Sequence, residues 1–221
     1  MAVSGISSSK SIYGNRNVIT GSCSIERAIS HTEYGDILAS DIMLSTAEVE
    51  FTAPRREFML SQQLDVVKPH YDFVIIDTPP ALNILTINAY VASTGLIVPM
   101  EAEVLSLVGV SQIQDTIETV RKSFNPDLKV LGILLNKYDR RLTLSREILD
   151  LAESVAEQLG SQVFHTKVRR SVSVAMAPAH GQSVLTYQPG TKAAADLRKI
   201  VDIVAGPSFP ASRPASRSKW F

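Results

Sequence analysis

The sequence predicts an α/β protein with a doubly wound, mostly parallel sheet and helices on both faces, and three observations support this. The runs FVIID (73–77), GLIVPM (95–100) and LKVLGILLN (128–136) are continuously apolar rather than alternating, as in strands covered on both faces. Stretches with helical spacing lie between them. The connections are short, as repeated strand–helix–strand units require. With 221 residues, 45% of them hydrophobic and 20% charged, the chain holds enough apolar side chain for one substantial core.

Taken in order, residues 1–23 are rich in Ser, Gly and Asn, show no sustained period and are expected to be poorly ordered. SIERAIS (24–30) reads as a short helix, GDILAS (35–40) as a short strand and 42–51 as another helix. Pro54 opens a helix to about Val67, with Phe58, Leu60, Leu64 and Val67 as its apolar positions. FVIID is a buried strand ending at Asp77. Ile113, Ile117, Val120 and Phe124 mark a helix that ends at Asn125-Pro126. A further helix carries Leu144, Ile148, Leu151, Val155 and Leu159, starting after Thr143 and stopping at Gly160. SQVFHTKV (161–168) is a strand, and His180-Gly181 a turn before an extended VLTY. The last helix, 192–204, places Leu197, Ile200, Val201 and Val204 on its buried stripe. After Gly206 the chain has three prolines, four serines, three basic residues and no acid, a disordered basic tail over 206–221. The α/β domain is thus expected over 24–205.

Lys plus Arg and Asp plus Glu both total 22, so net charge gives no general attraction to nucleic acid or an acidic membrane. Any such contact must come from a local patch. A single cysteine, Cys23, and no apolar core of a signal peptide lead to the expectation of a reducing, cytoplasmic setting. No apolar run approaches the roughly 20 residues of a spanning helix, so no membrane role is expected.

Asp77 closes an apolar run and is followed by Thr78, Pro79 and Pro80. Ligands of open α/β sheets sit beyond the carboxyl ends of the strands, so a carboxylate placed there faces the ligand crevice. The two prolines stiffen the turn after it. Such an aspartate suits outer-sphere support of Mg²⁺ on nucleotide phosphates; capping the next helix is the simpler alternative. Asn136-Lys137-Tyr138-Asp139 follows a central strand and fits the guanine-reading NKxD pattern of GTPases, or is a plain polar loop. Basic residues gather at Arg140, Arg141 and Arg146, at Lys167, Arg169 and Arg170, and at Arg198 with Lys199. They form either a phosphate-contacting surface or an ordinary solvated face. No Ser/His/Asp or Cys/His set is recognisable, and His31, His70 and His165 read as scattered packing or surface residues.

From about Ser24 to Val204 the sequence resembles the ParA/Soj branch of the ParA/MinD family, deviant Walker-type P-loop ATPases of plasmid and chromosome partition. REFMLSQQLDVVKPHYDFVIIDTPPALNILTINAYVAST resembles the Walker B strand and following helix of that family, and Pro99, Glu103, Leu107 and Gly109 match its P-x-x-x-E-x-x-x-L-x-G stretch. VRRSVSVAMAPAHGQSVLTYQPGTKAA resembles its I-P-R-N, A-P-S-H-G and S-K-G-A stretches. The resemblance implies ATP with Mg²⁺, an ATP-dependent homodimer, nonspecific DNA binding, association with the nucleoid and a ParB-like centromere-binding partner. It implies that Asp77, Thr78 and Pro79 lie at the nucleotide and metal, Asn136 and Asp139 at the adenine-side loop, and Arg169, Arg170 and Lys192 near DNA, with Arg170 on the I-P-R-N arginine and Lys192 on the S-K-G-A lysine. Nowhere in the chain is there a Gly-Lys-Thr, a Gly-Lys-Ser or a D-x-D-P-Q strand end. The expectation is therefore an N-terminally incomplete member, inactive alone and without catalytic residues of its own. The alternative expectation is a non-enzymatic protein that docks on DNA or on a complete ParA-like subunit.

Overall fold

The computed structural model describes residues 14–32, 35–40 and 54–206. Where a single compact domain is expected, the chain divides into two compact units. Of the described residues, one unit takes those up to Thr94 together with Thr116–Leu128, and the other takes Gly95–Asp115 and 129–206.

The first unit opens with helices α1 (Asn15–Ile19) and α2 (Ile25–Ala28) and an antiparallel hairpin of β1 (Ser30–Thr32) with β2 (Gly35–Ile37). Helix α1 falls inside the segment expected to be poorly ordered, because Val18 and Ile19 are both buried and give this polar stretch an anchor. The helix expected over 42–51 lies outside the described residues. A 3₁₀ turn at Arg56–Phe58 leads into α3 (Met59–Val67), whose Leu60, Leu64 and Val67 share one face and bury it against Val18, Ile25, Ala28 and Ala92. Helix α4 (Ile84–Ala92) starts at Asn83, whose side chain accepts the N–H groups of Leu85 and Thr86 at 3.0 and 3.3 Å. Buried Asn88 fastens α4 to the start of α3. Its Nδ2 donates to the carbonyls of Arg56 and Ile84 at 2.9 and 3.0 Å, and its Oδ1 accepts the Leu60 N–H at 3.1 Å. At the far end of α4, Asn125 Nδ2 reaches the carbonyls of Tyr90, Val91 and Ser93 at 3.1, 3.2 and 2.8 Å, satisfying groups the helix terminus leaves open.

The run 73–77 departs from the expected buried strand. Val74 and Ile76 pack on the α3 core while Ile75, 48% exposed, and Asp77 face outward, and no described residue forms a ladder with the run. One face is covered and the other is not, so a continuous apolar run here does not mean burial on both sides. His31 is not a scattered residue. Its Nδ1 lies 2.7 Å from Asp36 Oδ1, and the Tyr71 hydroxyl donates to Asp36 Oδ2 at 2.8 Å. Burial and then the Asp36 carboxylate push the Tyr71 hydroxyl well above its usual range.

In the second unit β3 (Gly95–Glu101) and β4 (Lys129–Asn136) pair in parallel, from Val98 opposite Ile133 to Glu101 opposite Asn136, with a register shift at Leu96/Ile97. Helix α5 (Val104–Ser123) follows β3, and its residues are shared between the two units. Helix α6 (Thr143–Gln158) follows β4 and ends before Gly160, whose φ of +65° is one glycine adopts at little cost. Its buried seam is Ile148, Ala152, Ala156 and Leu159, while Leu144 and Leu151, expected on that stripe, are 45% and 50% exposed. With Ser145 the seam steps by three and four along one face; Leu151 lies off it, and Leu144 sits in the first turn of the helix beside Ser145. SQVFHTKV is not one strand. It touches β4 at two separate places, a parallel bridge from Val163 to Ile133 and a hydrogen bond from the Val168 N–H to the Leu135 carbonyl at 2.9 Å, with a bend at His165 and Thr166 between; just past both segments Arg169 bridges Tyr138. VLTY is a helical turn, α8 (Val184–Tyr187), rather than extended, because Ser183 caps it by accepting the Leu185 N–H at 3.1 Å. It follows α7 (Val172–Met176) and a turn in which Gly181 has φ of +63°. Helix α9 (Lys192–Ala205) buries Ala193, Ala194, Asp196 and Ile200, whereas Val201 is 38% exposed. Among the described residues no helix is long and apolar enough to cross a membrane.

Candidate functional site

In the first unit the turn after the 73–77 run carries Asp77, Thr78, Pro79 and Pro80. Asp77 and both prolines are exposed and Thr78 is half-buried. Among the described residues Asp77 has no ion-pair or hydrogen-bond partner. It is therefore not the cap of the following helix, a role that belongs to Asn83. The turn is held from below: the buried Thr86 hydroxyl donates to the Ala81 carbonyl at 2.6 Å, fixing 81–86 on α4. No cluster of three or more acidic, His or Cys side chains suited to a metal occurs among the described residues. A lone exposed carboxylate still fits Mg²⁺, which keeps most of its waters and takes few protein ligands.

In the second unit the loop after β4 begins with Asn136, whose Oδ1 accepts the Lys137 N–H at 2.9 Å. Lys137 has φ of +51°, a left-handed backbone that costs a residue with a Cβ on the order of 1 kcal/mol. Its Nζ pairs with Glu101, the residue at the end of β3. Asp139 is gripped at two points by Arg141, through Nε at 3.0 Å and Nη2 at 2.7 Å, and also accepts the Arg141 N–H at 3.1 Å. These bonds hold its carboxyl well below the usual range, at about 2. The literal NKxD match is thus set aside: both its lysine and its aspartate are committed to partners within this chain, so neither stands ready to read a guanine edge.

The same loop is tied to the basic segment that follows. Val168 N–H donates to the Leu135 carbonyl at 2.9 Å and Tyr138 N–H to the Val168 carbonyl at 3.1 Å, which brings 136–139 beside 168–170. Arg169 then turns toward α9: its Nε and Nη2 meet Asp196 Oδ2 and Oδ1 at 2.6 and 2.8 Å, and its own N–H lies 3.3 Å from Oδ2. The Arg169 hydrogen bonds hold the buried Asp196 carboxyl below its usual range despite burial, with Lys199 adding to the effect. Arg169, a DNA-contact candidate from the sequence, is a partner in an ion pair whose side chain remains 48% exposed. Arg170 and Lys192 are exposed and have no ion-pair or hydrogen-bond partner among the described residues. The sequence reasoning missed Asp196 and Glu101, and it placed Arg141 in a basic cluster without its pairing to Asp139. An acidic residue on the buried stripe of a helix was the available signal, since burial obliges it to find a cation.

Parallel strands β3 and β4, each followed by a helix, place the chain in the α/β class. Comparison with known proteins makes the family definite. Residues 3–130 match the family described as AAA domain. Over 170 residues the chain is 36% identical to the sporulation initiation inhibitor protein Soj of Bacillus subtilis, covering 75% of this chain and 66% of that protein. Over 176 residues it is 36% identical to the chromosome partitioning protein ParA of Caulobacter vibrioides, covering 77% of this chain and 65% of that protein. The crystal structure of cobyrinic acid a,c-diamide synthase from Mycobacterium smegmatis with bound ATP analog and magnesium superimposes with a TM-score of 0.71 at 29% identity, over 95% of this chain and 80% of that one. The chain belongs to the ParA/MinD family of AAA-domain proteins and has its α/β fold. It spans just under two thirds of the length of Soj and ParA.

Proposed function

We propose that this chain serves DNA partition as a ParA-type protein, with adenine nucleotide and its Mg²⁺ held near Asp77, and DNA held by the basic surface of 160–206. The observation that carries this reading is the 36% identity to Soj and to ParA over three quarters of the chain. Local charge supports it as well. Residues 160–206 contain six Lys and Arg (167, 169, 170, 192, 198, 199) against two Asp (196, 202), a surplus of four, although the whole chain is neutral. Asp77 would hold Mg²⁺ through its waters, with Thr78 and Pro79 shaping the turn, and the metal supplies charge neutralisation on the nucleotide phosphates. Adenine is favoured over guanine because Asp139 is already taken by Arg141.

The 221 residues contain no Gly-Lys-Thr or Gly-Lys-Ser phosphate loop. Each charge-assisted phosphate contact such a loop makes is worth about 1.5–3 kcal/mol, so these residues by themselves hold ATP weakly and do not hydrolyse it. A homodimer, a ParB-like protein and nonspecific DNA are the partners this reading assigns, in the cytoplasm at the nucleoid. Anisotropy of a fluorescent random-sequence duplex, titrated with the purified chain at several salt concentrations, tests it. The expected result is binding without sequence preference that weakens linearly in log K against log salt. Absence of binding at about 50 mM salt would refute it.

A further inference from the structure

Asp196 is an uncommon residue for the place it occupies: its side chain is 8% exposed, on the buried face of α9. Lys192 and Lys199 stand four residues before it and three after it, spacings that share one helix face. Arg169, 27 residues earlier in the chain, closes on it from the neighbouring segment with two side-chain donors and its backbone N–H. Two of the five guanidinium N–H donors are engaged in this way, leaving three on a side chain that is still 48% exposed. Arg170 follows directly, exposed and unpaired among the described residues. One buried carboxylate on α9 therefore holds a cation from a separated stretch of sequence.

We propose that Asp196 is a positioning residue: by gripping Arg169 it sets Arg169 and Arg170 against the Lys192 and Lys199 face of α9, assembling one cationic surface for the phosphodiester backbone of DNA. The proposal rests on the DNA reading above and adds to it, since the family resemblance singles out Arg170 and Lys192 and gives Asp196 no place. The physical gain is preorganisation. A mobile arginine must be ordered by the phosphate it meets, whereas here the protein has ordered it already.

Two effects of Asp196 on DNA binding have opposite signs, and this makes the idea testable. As a charge, Asp196 repels phosphate, so its removal should strengthen binding. As a positioning group, its removal should weaken binding. Duplex anisotropy with the Asp196→Asn and Asp196→Ala variants decides between them. The expected result is a loss of about three- to ten-fold at about 50 mM salt, with the log–log salt slope shallower by about 1, as for one lost phosphate contact. A merely structural pair would lower the melting temperature and leave the slope of the folded protein unchanged. Should Asp196→Ala fail to fold, Asp196→Asn keeps the shape and one acceptor, and Arg169→Lys keeps the cation while losing the two-point grip. Both are expected to show the same loss. Equal or tighter binding by Asp196→Asn or Arg169→Lys, with an unchanged slope, overturns the proposal. Failure of the unaltered chain to bind the duplex overturns instead the DNA reading beneath it, so the two failures are distinct.

Discussion

Replacing Asn88 by Ala should be among the more damaging single changes in the first unit. Asn88 is buried and its amide makes three bonds, two of which join α4 to the segment entering α3. The Ile84 carbonyl lies four residues back on the same helix and already has the helix's own donor, so its loss matters least. The Leu60 N–H has no such second partner, because Leu60 lies in the first turn of α3, where N–H groups have no ladder acceptor. Leaving it unsatisfied costs about 1–3 kcal/mol and losing the bond to the Arg56 carbonyl adds about 0.5–1.5 kcal/mol, so a total near 2–4 kcal/mol is expected. For a chain of this size that corresponds to a fall of roughly 5–12 °C in Tm. Urea and thermal unfolding followed by circular dichroism measure it. Asn88→Asp supplies a sharper form of the test. It keeps the acceptor for Leu60 but places a carboxylate against two carbonyls, raising its pKa above the unfolded value. It should therefore be least stable at neutral pH and recover as falling pH protonates the carboxyl and restores a donor. A loss below about 1 kcal/mol for Asn88→Ala, or a pH response of the opposite sign for Asn88→Asp, would show that the amide does not join these elements.

Two further outcomes follow from the second unit. Arg141→Ala should return the Asp139 carboxyl from about 2 to near the ordinary aspartate range of about 4, read by NMR titration, because the depression comes first from the Arg141 side-chain bonds. Any stability this pair adds is present above about 4 and lost as pH falls through about 2; the pair lies at the surface, where ion pairs are worth little, and melting at neutral pH should not move. Gly132→Ala should destabilise the fold by about 1–3 kcal/mol in urea, since a Cβ there would lie 2.7 Å from the Phe164 ring and 3.1 Å from the Gln162 carbonyl. Gly95→Ala meets only the flexible end of Leu131 and should cost less.

The sequence announced β3 and β4 clearly, because short continuous aliphatic runs bounded by polar loops favour extended backbone, although Leu131 of β4 is 40% exposed. It also announced the end of α6, since Gly160 supplies a backbone few other residues tolerate. The 73–77 run misled: its composition is that of a two-sided strand, but only Val74 and Ile76 are covered by the α3 core. Loop and turn residues of the candidate site were legible as positions. Their states were not, because the states depend on partners distant in sequence. Asp139 could be placed after β4, yet nothing in NKYD tells that Arg141 folds back on it. Arg169 and Arg170 look alike in VRRS, and only the long-range contact with Asp196 separates an ion-paired arginine from an exposed one. Asp36 with His31 and Tyr71 is a third case, joining residues 35 apart across the hairpin and the start of the 73–77 run.

The central claim is that a local surface in 160–206, not the charge of the whole neutral chain, meets DNA. Comparing the salt slope of duplex binding between the unaltered chain and the Arg170→Ala/Lys192→Ala double variant tests it most directly. Both side chains are exposed and unpaired among the described residues, so folding should be unaffected. The account predicts a slope shallower by about 2, one unit for each lost phosphate contact, with weaker binding to every sequence alike. An unchanged slope and affinity would contradict it.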